Sequence, residues 1–260
     1  MKVERYAHDG FDVAVWRGGD GPPLLYLHGV EHHPGDARFL RRLGEFRSVH
    51  APEHPGHGSS TGQDRVHELL DMTLHLRHFV DSLGGGAVDV LGHSLGGLFA
   101  AELAALAPAS VRRLVLVNPF GLWLDALPAP DPFTLSPAAF ARATWFEPAR
   151  AADAPSAFAQ SGMDSMASYR SHDLANATKY LWPLPDRGTR RRLCYVQAPT
   201  LVLHGVADAL VPPAYADAWA AGIRGARRVP IERAGHLPML EAEDAVLAEV
   251  RTFLEGNTST

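Results

Sequence analysis

Residues Gly92-His93-Ser94-Leu95-Gly96 constrain this chain more than any other segment. An apolar run, Val88 to Leu91, leads into them, and a helix-forming stretch, Leu98 to Ala107, follows. The order is therefore strand, tight turn, helix. Glycines two residues either side of Ser94 let the backbone turn where a Cβ would clash, so the hydroxyl stands clear of the sheet for a base to deprotonate. Without that context the motif reads as a serine in an ordinary glycine-rich turn.

The surrounding pattern repeats the alternation. Val3 to Ala7 and Phe11 to Trp16 read as paired strands, and Pro23 to His28 and Arg47 to Ala51 as two more. Asp64 to Leu83 has helical spacing, with Leu69, Leu70, Met72, Leu76, Phe79, Val80 and Leu83 recurring at threes and fours, and three glycines end it. Strands at Leu114 to Val117, Thr200 to His204 and Arg228 to Ile231 follow, with helices at Ala214 to Ala221 and Ala242 to Leu254. Such alternation predicts an α/β chain with a mostly parallel sheet covered on both faces. Gly256 to Thr260 reads as a frayed tail.

Between about Phe120 and Arg192 the rhythm stops. Eight prolines and a high density of aromatics predict short helices inserted between two strands, a lid over the serine. Most of its aromatics pack the insertion onto the body. Trp145, Met163, Met166 and Trp182, with Leu237 from the body, are the candidates to line an apolar substrate pocket.

Composition excludes other classes. The 260 residues suit one large domain, and a net charge of −5 without a long charged run argues against a nucleic-acid or polybasic membrane surface. The nearest exception, Arg190-Arg191-Arg192, reads as a solvated face. No apolar stretch approaches the roughly 20 residues of a membrane span, and no apolar signal core follows the charged N-terminus. A single cysteine, Cys194, precludes an internal disulfide, offers no zinc-binding pair and fits the cytoplasm.

Five landmarks come in a recognisable order: Leu27-His28-Gly29, Pro55-Gly56-His57-Gly58-Ser59, the Ser94 turn, His204-Gly205-Val206-Ala207-Asp208, and Ala234-Gly235-His236. With them the chain resembles the α/β-hydrolase fold superfamily along nearly its whole length. The resemblance implies a mostly parallel, eight-stranded type of sheet flanked by helices. Residues 1–119 and 193–260 would form the core and 120–192 the helical lid. A finer similarity, over Lys179 to Asp186 and Ala51 to Gly56, is to bacterial meta-cleavage-product hydrolases.

The chemistry follows from the residues. A serine hydroxyl needs a base within hydrogen-bond reach. Of 14 histidines, His236 follows a strand, sits in a Gly-His turn and precedes the final helix, and its place after Ser94 and an acid matches the Ser…Asp…His order of the fold the chain resembles. His28 is expected to support the loop after its strand, His57 a turn, His93 to pack beside the elbow, and His204 to be a core residue. His32 and His33 lie on the loop above the site. Asp208, in a turn before Pro212, is the expected acid. The other usual location for it holds Asn118, whose amide cannot carry the charge, and Asp125 is the reserve. The backbone N–H groups of Leu95 and Val30 are the expected oxyanion donors.

Ser94 disfavours halide displacement and epoxide opening, which use an aspartate at this place in the fold. Two hydrolytic readings remain. One is a carboxylesterase that cleaves a small to medium, mostly apolar ester through an acyl-enzyme. The other is hydrolytic C–C cleavage, whose enzymes usually carry Asn beside the nucleophile, Trp after the histidine and a lid cation. Here His93 and Leu237 stand in the first two places, and Arg142, Arg150, Arg170 or Lys179 is available as the cation. A cyclase-like or ligand-sensing member of the fold is the non-hydrolytic alternative. The expected partner is a small-molecule substrate; no cofactor or metal is expected, and oligomeric state is not legible.

Overall fold

A computed structural model describes residues 1–30, 35–153 and 166–256, with side chains set aside for 152, 153 and 166–172. Eight strands form one sheet: β1 (Lys2–His8), β2 (Phe11–Gly18), β3 (Pro23–Leu27), β4 (Ser48–Pro52), β5 (Val88–His93), β6 (Val111–Val117), β7 (Thr200–Gly205) and β8 (Arg227–Ile231). Their order is β1-β2-β4-β3-β5-β6-β7-β8. β1 and β2 are antiparallel, as are β2 and β4, and every later pair is parallel. The mostly parallel α/β sheet expected from the alternation is the one observed.

The helices are α1 (Arg38–Leu43), α2 (Leu69–Ser82), α3 (Leu95–Leu106), α4 (Pro137–Thr144), α5 (Met166–Leu181), α6 (Thr189–Arg192), α7 (Ala214–Gly222), α8 (Pro238–Glu241) and α9 (Glu243–Glu255). The spacing from Asp64 predicts an earlier start for α2. The helix instead begins at Leu69, because the Asp71 carboxylate accepts the backbone N–H groups of His67 and Glu68 and closes the first turn there.

Period-two side chains divide the core between the two faces of the sheet. Leu25, Leu27, Val90, Leu116 and Val202 pack with Leu76, Phe79, Leu98, Phe99 and Trp219 from α2, α3 and α7. Leu24, Tyr26, Leu91, Val117 and Leu203 pack with Phe39, Leu40, Val246 and Val250 from α1 and α9. Because both faces are buried, the central strands read as apolar runs rather than alternations.

Between β6 and β7 the described residues hold helices and no strand. Ser136 caps α4 by accepting the Ala139 N–H, and Pro137 fits its first turn. At the far end of the stretch, Glu102 of α3, 1 % exposed, accepts the Thr189 hydroxyl at 2.6 Å and Arg192 Nε and Nη2 at 2.7 and 2.8 Å. This corrects the reading of Arg190-Arg191-Arg192 as a solvated face. Arg190 and Arg191 are exposed, but Arg192 is half of a bidentate pair with a buried carboxylate.

Candidate active site

The loops at the C-terminal ends of β3, β5, β6, β7 and β8 converge. Ser94 follows β5 with φ +53° and ψ −118°, a conformation a non-glycine residue holds only when its surroundings impose it. Gly92 and Gly96 provide the space. A Cβ on Gly92 would lie 2.2 Å from the Gly96 carbonyl oxygen, and one on Gly96 would lie 2.2 Å from that of Leu27. The Ser94 N–H donates to Val117 O, and Ser94 O accepts the N–H groups of Gly97, Leu98 and Phe120.

The residues singled out in the sequence meet in one chain of hydrogen bonds. His236 Nε2 lies 2.8 Å from Ser94 Oγ, and His236 Nδ1 lies 2.7 Å from Asp208 Oδ2. All three residues are buried. A carboxylate only accepts, so Nδ1 carries the hydrogen and Nε2 presents its lone pair to the serine hydroxyl. The peptide of His236 is fixed at both ends: its N–H donates to Thr144 O at 2.6 Å, and its carbonyl accepts His93 Nε2–H at 2.8 Å.

Asp208 is held as firmly. Its Oδ1 accepts the N–H groups of Leu210 and Val211 at 2.9 and 2.8 Å, and its Oδ2 also accepts Asn118 Nδ2 at 2.6 Å. Burial alone would raise this carboxyl. The His236 charge and hydrogen bond, with help from His204 and the Val211 N–H, outweigh it and hold the group below the ordinary 3.8. The acid therefore stays charged throughout the neutral range. His204 is the core histidine expected: it donates through Nε2 to Val211 O, and burial lowers its proton affinity.

The loop after β3 passes directly over Ser94. A Cβ on Gly29 would sit 2.8 Å from His93 Nδ1 and 3.2 Å from Ser94 Cβ, so only glycine fits. Buried Val30 follows it, and Leu95 opens α3, where the N–H has no intrahelical acceptor. His28 braces the loop as expected. Its Nε2 accepts the His54 N–H, its Nδ1 lies 2.9 Å from Gly29 O, and its ring stacks on His54. His57 lies in the following turn, 3.9 Å from buried Asp173 of α5.

The expected pocket residues fare differently. Trp145 is buried and adjoins Thr144, the residue that holds the His236 N–H. Leu237 is part-buried against the cluster under α9. Trp182 is 56 % exposed beyond the end of α5, its carbonyl accepting from Arg187, so its ring is not enclosed by a pocket. Met163, His32 and His33 lie outside the described residues, and Met166 is described by its backbone alone. Asp125 is exposed and accepts Trp123 Nε1–H. Sequence reasoning set Asn118 aside as unable to carry charge. The structure puts it in direct contact with the acid.

A model of the alpha/beta hydrolase family matches residues 24–249. The chain belongs to that family. Among curated relatives, a pimeloyl-[acyl-carrier protein] methyl ester esterase of Xanthomonas campestris pv. campestris is 31 % identical over 252 residues, 91 % of this chain and 96 % of that protein. Polyketide synthase ThaQ of Burkholderia thailandensis is 30 % identical over 262 residues, 95 % of this chain. This chain spans only 12 % of the synthase's length. Among solved structures, a meta-cleavage product hydrolase from Pseudomonas fluorescens IP01 superposes with a TM-score of 0.72 at 18 % identity, over 95 % of this chain and 96 % of that one. At that identity the likeness concerns the fold.

Proposed function

We propose that the protein is a serine carboxylic-ester hydrolase that works through an acyl-enzyme. The observation carrying this reading is the continuous Ser94–His236–Asp208 chain, at 2.8 and 2.7 Å, on a serine with a strained backbone. Ser94 Oγ attacks the ester carbonyl while His236 Nε2 takes its proton. The N–H groups of Leu95 and Val30 receive the tetrahedral oxyanion. Asp208 stabilises the imidazolium and stays ionised. His236 returns the proton to the leaving alkoxide. Water, deprotonated by the same imidazole, then releases the carboxylic acid and restores Ser94.

Residues 120–192 form the lid in this reading, and Trp145 lines the pocket beside His236. Two observations favour an ester over C–C cleavage. The esterase relative matches over nearly the whole of both chains. Of the four cations named for a substrate carboxylate, Arg142 is exposed and the Arg170 side chain lies outside the described residues; Lys179 donates to Gln63 O and Val66 O, and Arg150 to Leu240 O. Both are spent on backbone carbonyls. We place the enzyme in the cytoplasm because its one cysteine, exposed Cys194, suits a reducing compartment. Among the described residues no helix is long and apolar enough to cross a membrane.

Steady-state hydrolysis of p-nitrophenyl esters from acetate to decanoate tests the reading. The parent should turn over with a chain-length optimum, and His236→Ala should lose at least about 1000-fold in kcat while folding normally. Near-parental activity in that variant would overturn the assignment.

A further inference from the structure

We propose that Asn118 is a positioning residue of the triad, its amide fixing the Asp208 oxygen that serves His236 and moderating that oxygen's charge. The inference rests on the serine-hydrolase reading above. Asn118 follows β6 with φ +45°, a left-handed conformation that asparagine tolerates better than most residues, and it is fully buried. Its backbone N–H donates to Leu203 O at 2.9 Å, and its Oδ1 lies 3.4 Å from the Gly205 N–H. Its Nδ2 donates to Asp208 Oδ2 at 2.6 Å and to Gly235 O at 3.2 Å. The reverse amide orientation would set an oxygen against a carboxylate and a carbonyl, so the assignment is fixed by its partners.

The placement of its neighbours makes this more than one bond. Val117 O holds the Ser94 N–H, and the Phe120 N–H donates to Ser94 O. Asn118 holds Asp208, and through Gly235 it holds the residue before His236. One tetrapeptide, residues 117–120, therefore contacts the turns that carry nucleophile, acid and base. Within it, Asn118 is the side chain whose partner is an oxygen of the triad.

Oδ2 of Asp208 accepts from Asn118 and His236 together, with His204 Nε2 of the β7 end 3.5 Å away. Two donors on one oxygen share its charge, so the carboxylate holds the imidazolium less tightly than it would alone. His236 can then hand its proton on to the leaving group. The position also demands a neutral donor. A carboxylic acid there would stand within hydrogen-bond distance of Asp208 in a site closed to water, where two carboxylates cannot both ionise at ordinary cost.

Asn118→Asp, nearly isosteric, tests this sharply. In the state with one proton shared between the new carboxyl and His236, a neutral carboxyl donates to Oδ2 as the amide does, whereas an ionised one leaves the imidazole protonated and unable to act as base. That division does not depend on pH; raising the pH removes the shared proton, a loss that two negative charges oppose, so the neutral imidazole forms fully only above the parent's range. The variant should thus reach its full kcat at a pH at least about one unit above the parent's, with kcat roughly 10-fold or more below the parent's on that rising limb. Asn118→Ala should lose about 10-fold in kcat with KM within about twofold. A purely structural role would lower activity by the same factor at every pH. That result, or a profile superimposable on the parent's, would overturn the proposal.

The profiles are measured twice, by p-nitrophenyl ester turnover and by the rate at which a fluorophosphonate labels Ser94, with circular dichroism to check folding. If Asn118→Ala does not fold, Asn118→Asp carries the test. A parent that labels at Ser94 but turns over no ester refutes the ester reading, and the labelling profiles still decide the role of Asn118. A parent that does neither refutes both.

Discussion

Arg192→Ala is expected to destabilise the fold by about 2–3 kcal/mol. Glu102 is 1 % exposed on α3, the helix that Ser94 precedes, and its three side-chain donors all come from α6 at the end of the β6–β7 insertion. Removing Arg192 leaves a buried carboxylate with, among the described residues, the Thr189 hydroxyl alone. Breaking a fully buried ion pair from one side costs about 3–5 kcal/mol. Arg192 is 27 % exposed, so water recovers part of that and the lower figure applies. In a chain of this size that corresponds to a fall of about 5–10 °C in Tm. Glu102→Leu with Arg192→Leu should recover much of the loss, because apolar residues of similar volume leave no stranded charge. Urea denaturation of the parent, Glu102→Leu, Arg192→Leu and the double variant gives the coupling energy, expected near 2 kcal/mol. A coupling below about 0.5 kcal/mol would refute the claim that this pair anchors the insertion.

Two further outcomes follow from the geometry. Burial holds His75 neutral with a proton affinity lowered to about 4, below the unfolded value of about 6.5. Its contribution is therefore complete above pH 6.5 and lost as pH falls toward 4, about 3 kcal/mol in all. His75→Gln should flatten that part of the stability–pH curve in urea melts, and an unchanged slope would count against it. Gly205→Ala places a Cβ 2.0 Å from Gly235 O and 2.5 Å from Ala234 O, which drives β7 and the His236 turn apart. A displacement of about 1 Å costs on the order of 100-fold in kcat, so near-parental kinetics would contradict the packing described.

What was legible depended on whether a residue's role is written in local pattern. Ser94, Asp208 and His236 each sit just past a strand in a turn marked by glycine or proline, and the structure brings those three together. Alternating strands and helices gave away the sheet because its central strands are apolar on both faces. Asn118 escaped because what it offers Asp208 is a hydrogen-bond donor rather than a charge. A turn-forming asparagine directly after an apolar strand was the available signal. Arg192 escaped because its partner, Glu102, is 90 residues away in the chain. Aromatic density in 120–192 marked residues for packing but carried no direction: Trp145 is buried and Trp182 exposed. Helical spacing continues upstream of the Asp71 cap, so periodicity alone starts α2 too early.

The central claim is that Ser94 becomes acylated. Rapid quenching of the enzyme with p-nitrophenyl acetate, followed by peptide mass spectrometry, tests it most directly. The account predicts an acetyl group on the peptide containing Ser94, formed and lost at rates that match turnover, with neither adduct nor turnover in Ser94→Ala. Ester turnover that persists in Ser94→Ala, or an adduct on another residue formed at the turnover rate, would contradict it.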